Sequence, residues 1–517
     1  MSDSLEEKRR QIFEQLTQSF GIKHEDGFED KIALCLSGGG FRAALFHLGA
    51  IWRLHDADLL KKVGHIAGVS GGSIPAALVA MNWVNIFTEE NGFRKHVADR
   101  LMDFTRTAGI RVFARLFLPI LAFHTVIISL VLFATWFTGY LLILASLPII
   151  WAIAYVSGIE EFFYGAKFLN KWFEKELFGN TTFESLVGAQ NDNPKRPELA
   201  ILAGNLQTGN QWRFETQENG EGDLVATCGD DDVGHIPAKN VRISHAVAAS
   251  CAFPIFLSPF IFRPPNGQKY VGGHVLSLEA SKPDILLRIW HSLLRARYSI
   301  TLSKLGKFQP FQSRVSLTDG GAYDNLAFDH VDKRMHPPEG TKPSSAKYWH
   351  LLVSDASSPF TATPYAAEAL FAQLQRVIAI LSEGNPRQAK QRLIANFESN
   401  PVLGTYWSIG SHPSDFVKNL PAVAASQELC GMPQWYCDAN KIDPSKRSPL
   451  AYAATGLWSL GETAYRIVDY GYMLTDLACR THFALGEFED IKCVVKPETM
   501  PSSKLGKNFY AGQNNRL

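Results

Sequence analysis

The sequence predicts an α/β fold of three layers, with helices on both faces of a mostly parallel central sheet and an apolar helical hairpin interrupting the order. Three observations carry this prediction. Two consecutive units of strand, glycine loop and helix occupy residues 31 to 90, and repeated units of that kind build doubly wound sheets. Strand-length apolar runs resume after residue 195. Between them, Leu116 to Val156 holds about 40 residues without Lys, Arg, Asp or Glu, enough for two membrane spans of roughly 20 residues each.

The elements follow in order. Residues 1–30 are charged, lack the apolar core of a secretory signal, and read as an amphipathic helical leader. The first unit begins with the apolar run Lys31–Leu36, breaks at Ser37-Gly38-Gly39-Gly40, and continues with helical apolar spacing from Phe41 to Leu54. The second runs from His65 to Val69, turns at Ser70-Gly71-Gly72, and enters a helix with Pro75 in its first turn, where proline is tolerated. These units form the first part of a catalytic domain, residues 31–110. A transmembrane hairpin insertion is expected at 111–160, broken near Thr135–Gly139. Arg106, Arg111 and Arg115 precede its uncharged stretch and Lys167, Lys171 and Lys175 follow it, which directs both flanks to the cytosol. Two buried helices, or a hairpin lying in one leaflet, are the alternatives.

The second catalytic part, 161–360, opens with a strand pair, 199–205 and 211–216, around a Thr208–Asn210 turn. A small-residue helix then closes at Pro254, a strand runs into Asp319-Gly320-Gly321, and a buried strand ends at Asp355. The basic, Trp-containing stretch 288–298 suits either an amphipathic surface helix or a solvated one. Residues 361–517 read as a mainly helical extension packed on the catalytic domain, with long helical patterns at Tyr365–Ser382 and Leu450–Cys479.

Composition narrows the function classes. A net charge of +1, with basic residues dispersed, gives no footprint for nucleic acid. Seven scattered cysteines without a CxxC pair suit reduced thiols in the cytosol. No calcium-type loop or zinc spacing is present, so neither metal nor cofactor is expected.

Gly68-Val69-Ser70-Gly71-Gly72 has the GxSxG form of a nucleophile elbow, with strand before and helix after. Gly38, Gly39 and Gly40 stand at a helix N-terminus, where free amides and the positive helix end suit an oxyanion. The same glycines with Ala43 also satisfy GxGxxA, but a dinucleotide site wants an acidic residue after the second strand, and Ser70 stands there. Asp319-Gly320-Gly321 is a carboxylate at a strand end, and Asp-Gly is also a common turn. If the base were a histidine, His47 and His330 are the candidates.

The combination GGGxR, GxSGG and DGG, in that order and each after a strand, resembles the patatin-like phospholipase family over roughly 31–90 and 180–360. The resemblance implies a serine lipid acyl hydrolase acting through a Ser-Asp dyad and an acyl-enzyme. Ser70 matches the nucleophile, Asp319 the base, Gly38, Gly39 and Gly40 the oxyanion loop, and Arg42 the family's arginine. Gly68, Gly71, Gly72, Gly320 and Gly321 match the motif glycines, and Ala248–Phe256 the small-residue segment before the dyad aspartate. Ala43 replaces a common glycine, and the Ser70–Asp319 spacing is long for the family. The expected partners are a membrane lipid substrate and the bilayer itself; nothing in the sequence specifies a protein partner. A catalytically silent membrane receptor or scaffold is the alternative function.

Overall fold

The computed structural model describes residues 32–138, 165–192, 196–218, 224–254, 257–265, 270–273, 314–335, 350–357, 390–397, 404–413, 415–418, 459–482 and 495–507, with a few single positions between. The expected leader (1–30), the later part of the hairpin (139–160), the basic stretch 288–298 and the helical pattern Tyr365–Ser382 lie outside these residues.

In chain order the elements that matter for the site are β1 (Ile32–Leu36), α1 (Gly40–Asp56), β2 (Val63–Val69), α2 (Ser73–Met81), α3 (Asp99–Thr138), α4 (Gly165–Phe173), β3 (Glu198–Asn205), β4 (Gln211–Glu218), β5 (Leu224–Asp230), β6 (Gly234–Pro237), α5 (Ile243–Ser250), β7 (Phe260–Phe262), β8 (Val315–Asp319), α6 (Phe328–Met335), β9 (His350–Asp355), β10 (Gly404–Ser408) and α7 (Thr463–His482). One ten-stranded sheet runs β10-β9-β1-β2-β3-β4-β5-β6, with β8 also paired to β3 and β7 to β8.

Every residue of β1 and of β3 is buried, so each strand must satisfy a core on both faces, as parallel strands between helical layers do. The side chains divide by alternation. Ile32, Leu34, Leu36, Leu199 and Ile201 join the core under α1, α2, α5 and α7. Ala33, Cys35, Ala200 and Leu202 join a second core with Phe328 and Val331 of α6 and with Leu393. Three layers result, as the sequence predicts.

The sheet is mixed rather than mostly parallel. Strands β10, β9, β1, β2 and β3 run parallel. The β3–β4–β5–β6 ladder and the β3–β8–β7 ladder are antiparallel. The cause is local: β3 and β4 are joined by the short turn 206–210, and a hairpin can only pair antiparallel. Strand β10 adds an edge that the sequence does not announce.

Helix α1 is buried from Phe41 to Leu54 because α7 covers it. The two cross so closely that a side chain on Gly49 would strike the Val468 carbonyl, and one on Gly471 the Phe46 carbonyl. Tyr472 next to the crossing donates its hydroxyl to Asp56 (2.8 Å), and Arg53 of α1 pairs with Asp476 of α7 at 2.7 Å, both buried.

Helix α3 begins at Asp99, earlier than the expected hairpin, and runs unbroken through Pro119 to Thr138. At about 1.5 Å per residue it is about 60 Å long. Its first turns are rooted in the core by Leu101, Met102 and Phe104. The Phe104 ring stacks on Trp172 of α4 (4.1 Å between centroids) and meets Phe41 of α1 edge-on. Farther out, Leu118, Leu121, Val126, Ile128, Leu130, Leu132, Phe133 and Trp136 are all exposed. Among the described residues no helix is long and apolar enough to cross a membrane, and the expected second span lies beyond them.

Candidate active site

Ser70 follows β2 directly and takes φ of +49°, a left-handed conformation that side chains rarely adopt. The sharp turn needs backbone to pack on backbone. A side chain on Gly71 would collide with the Gly40 carbonyl, and one on Gly72 with the Leu36 and Ser37 carbonyls. Gly68 faces the Ser73 backbone just as closely, 2.8 Å from a would-be Cβ to the Ser73 Cα. Ser73 Oγ closes the turn by donating to the Ser70 carbonyl (2.6 Å). Oγ of Ser70 is thereby lifted out of the strand at the start of α2.

Asp319 arrives from the opposite direction. Strand β2 pairs parallel with β3 as far as Val69 opposite Leu202. Strand β8 pairs antiparallel with the same side of β3 and ends with Asp319 opposite Ala203. The two strands thus meet end to end along one neighbour, and the residues at their tips are brought together whatever their distance in sequence. Ser70 Oγ donates to Asp319 Oδ2 at 2.7 Å, and the Gly321 amide donates to Oδ1 at 2.8 Å. Both side chains are nearly buried, Ser70 at 8% and Asp319 at 4% exposure. Burial pushes the Asp319 carboxyl up to about 6, against the lowering effect of these two hydrogen bonds. Gly320 lies against the Leu202 carbonyl, with no room for a side chain.

The glycine loop faces this pair. Gly39 and Gly40 have φ of +143° and +61°, so glycine alone suits the turn into α1. The Gly38 amide donates to the Asn325 carbonyl (2.9 Å), which removes it from the three amides expected for an oxyanion. For the amides of Gly39 and Gly40 no acceptor is found among the described residues. Arg42 is fully buried and does not reach the dyad. Its Nη2 donates to the Ala356 carbonyl (2.6 Å), and burial lowers it to about 10, with Asp355 opposing. It braces the loop from behind.

The two histidines are occupied elsewhere. His47 bridges the Ser37 carbonyl and Ser354 Oγ, both at 2.9 Å, and burial lowers it to about 4, so it is neutral. His330 lies beside His65 and Glu215, and burial holds it well below its usual range. Among the described residues no histidine hydrogen-bonds Ser70, and no cluster of side chains is suited to a metal ion.

Three further residues belong to the site without a sequence motif that assigns them a part. Ser250 Oγ accepts the Ser70 amide (2.8 Å) and donates to the Leu202 carbonyl (2.6 Å). The Ala252 carbonyl accepts from the Asp319 amide (3.0 Å) and from Thr318 Oγ1 (3.1 Å). Asn325 Oδ1 fills the space that Gly38 and Gly321 leave open, and its Nδ2 donates to Ser357 Oγ (2.8 Å). The first two come from the small-residue segment 248–256, whose chemistry becomes visible only once it is folded against both strand tips.

No curated protein sequence matches the chain. Among solved structures, human GIVD cytosolic phospholipase A2 is similar at 12% identity and a TM-score of 0.40, covering 93% of this chain and 67% of that one. A second structure of that enzyme, with methyl gamma-linolenyl fluorophosphonate and terbium chloride, gives 14% identity and a TM-score of 0.37, and the alignment spans 64% of its length. VipD from Legionella pneumophila is similar at 13% identity and a TM-score of 0.30, covering 88% of this chain and 67% of its own. The model of the patatin-like phospholipase family matches residues 34–332, more than half of the sequence, including the glycine loop, Ser70 and Asp319, and the chain therefore belongs to the patatin-like phospholipase family.

Proposed function

We propose that the chain is a serine lipid acyl hydrolase that works through a Ser70–Asp319 dyad at a bilayer surface. The observation that carries the reading is the 2.7 Å hydrogen bond from Ser70 Oγ to Asp319 Oδ2, made by a buried carboxyl and a hydroxyl on a left-handed turn. Asp319 takes the hydroxyl proton as Ser70 Oγ attacks an ester carbonyl. The oxyanion forms against the amides of Gly39 and Gly40, preorganised at the start of α1. Collapse expels the alcohol, which leaves with the proton from Asp319, and an acyl-Ser70 ester remains. Water, deprotonated by the same carboxylate, then releases the acid. A carboxylate is a weak base for an alcohol; its upward shift on burial narrows the gap, and the oxyanion amides carry much of the remaining barrier.

The bilayer part of the reading rests on α3. From Leu118 outward the helix exposes eight large apolar side chains, beside a stripe in which Val131 is buried and Ile127 and Thr135 are half-buried, and so much exposed apolar surface is unfavourable in water. Lipid is the solvent that suits Leu118 through Trp136, and the substrate is then a neighbour in two dimensions. The basic residues flanking 111–160 favour a catalytic domain on the cytosolic side. So do the free, buried thiols of Cys35, Cys228, Cys251 and Cys479.

The test compares wild type, Ser70→Ala and Asp319→Asn, purified in detergent, on a short-chain chromogenic ester and on mixed phospholipid vesicles. Loss of at least about 1,000-fold in both variants, with unchanged circular dichroism, is expected. Wild-type protein inert toward every lipid ester would move the reading to a silent membrane receptor or scaffold.

A further inference from the structure

We infer that Ser250 is a positioning residue, whose hydroxyl holds the Ser70 elbow at the height from which Oγ reaches Asp319. The inference rests on the dyad reading above and deepens it.

The β2–β3 ladder ends at Val69 opposite Leu202. The next amide, that of Ser70, would ordinarily seek a β3 carbonyl. Instead the Ser250 hydroxyl stands between the Ser70 amide and the Leu202 carbonyl, accepting from one (2.8 Å) and donating to the other (2.6 Å). Its orientation is unambiguous, because an amide only donates and a carbonyl only accepts. One oxygen has been inserted into the ladder where the chain must leave the sheet. It spaces Ser70 away from β3 and lets the left-handed turn form without orphaning either backbone group. Ser250 is fully buried, so no water replaces it cheaply.

The same short segment holds the other partner. Two residues on, the Ala252 carbonyl takes the Asp319 amide and the Thr318 hydroxyl. Residues 250–252 therefore fix nucleophile and base to a single piece of backbone. Without the Ser250 hydroxyl, either two buried groups lose their partners or the Ser70 amide closes directly on Leu202 and draws Oγ toward β3. Both outcomes lengthen the bond to Asp319.

The experiment measures ester hydrolysis across pH, and the rate of labelling by an alkyl fluorophosphonate, for the full-length wild type, Ser250→Ala, Ser250→Cys and Ser250→Thr. Ser70→Ala and Asp319→Asn serve as controls. Ser250→Ala is expected to lower kcat about 10- to 100-fold, the scale of a small misplacement of a reacting group, with KM changed less than about threefold. Labelling should slow by the same factor. The acid limb of the pH profile should move upward, because the Ser70 hydrogen bond that lowers the Asp319 carboxyl is weakened. Ser250→Cys keeps the shape but weakens both bonds and should show the same pattern, which covers the case that the alanine variant does not fold. Ser250→Thr, which retains the hydroxyl, should restore most of the rate. Wild-type kcat and an unmoved acid limb in the alanine or cysteine variant would overturn the inference while leaving the dyad standing. So would equal impairment of all three variants with no movement of the limb, since that pattern reports packing alone. Activity retained by Ser70→Ala or Asp319→Asn would instead remove the dyad, and this inference with it.

Discussion

In the proposed dyad, a buried carboxyl that must be ionised to work sets stability against activity. In the unfolded chain Asp319 titrates near 3.8, and in the folded protein at about 6. The folded state holds the proton more tightly, so its benefit is full below pH 3.8 and is lost as pH rises through 6. Above that, burial of the charge costs about 3 kcal/mol relative to a neutral group. Activity through the proposed dyad runs the other way, since only the ionised form can accept the Ser70 proton. We expect kcat/KM to rise with an apparent pKa near 6, a bell or plateau measurable on a soluble ester. Asp319→Asn should abolish turnover yet raise the thermal midpoint at pH 8 by a few degrees, with the gain fading at pH 4; calorimetry of the two proteins at both pH values checks this. The motif residues themselves were legible in sequence because each sits in a local pattern of strand, turn and glycine. Ser250 was not, because its part depends on Ser70, 180 positions away. The hydrogen bond from the Gly38 amide to the Asn325 carbonyl was equally hidden, since only folding brings that carbonyl to it.

Among the elements, helix and strand identities followed apolar period and glycine punctuation well for β1, α1, β2 and α2. Pairing partners did not. Nothing local in Val315–Asp319 tells that β8 will meet β2 end to end on β3. The mixed character of the sheet follows from a turn length at 206–210 that the sequence did display. β10 escaped notice because Gly404–Ser408 is short and lacks a run of apolar residues; it is a strand because β9 offers an edge. The crossing of α1 and α7 explains Tyr470-Gly471-Tyr472 physically, as a contact point with a tyrosine on each side. Gly471→Val would drive two methyl groups into the Phe46 carbonyl. A loss of about 2–4 kcal/mol, the scale of overpacking in a core, is expected, read as a lowered denaturant midpoint with the dyad residues untouched. Gly179→Ala, with open space around it but φ of 57° and ψ of −143°, isolates backbone strain from overpacking and should cost about 1–3 kcal/mol.

For the molecule as a whole, the apolar length of α3 was visible in the sequence, whereas its rooting in the core beside Phe41 was not. Because Leu121 and Phe133 of α3 are exposed, charges placed at these two positions should act on membrane affinity and not on the fold. Leu121→Lys with Phe133→Lys is expected to release the protein from phospholipid vesicles in a flotation assay, while hydrolysis of a soluble ester stays within about twofold. Retention on vesicles by the double variant would argue that α3 is not what lipid touches.

The tip-to-tip meeting of β2 and β8 also has a consequence in time. Ser70 leaves the ribosome 249 residues before Asp319, a delay of about 10–50 s at usual rates of synthesis. Through that interval the nascent chain carries the proposed nucleophile without its proposed base, and a loop whose closing partner, Asn325, comes later still. Closing so long a loop is slow as well as late. Under the proposed dyad, the chain has no working site until translation has passed its second strand tip, and neither has any fragment released early.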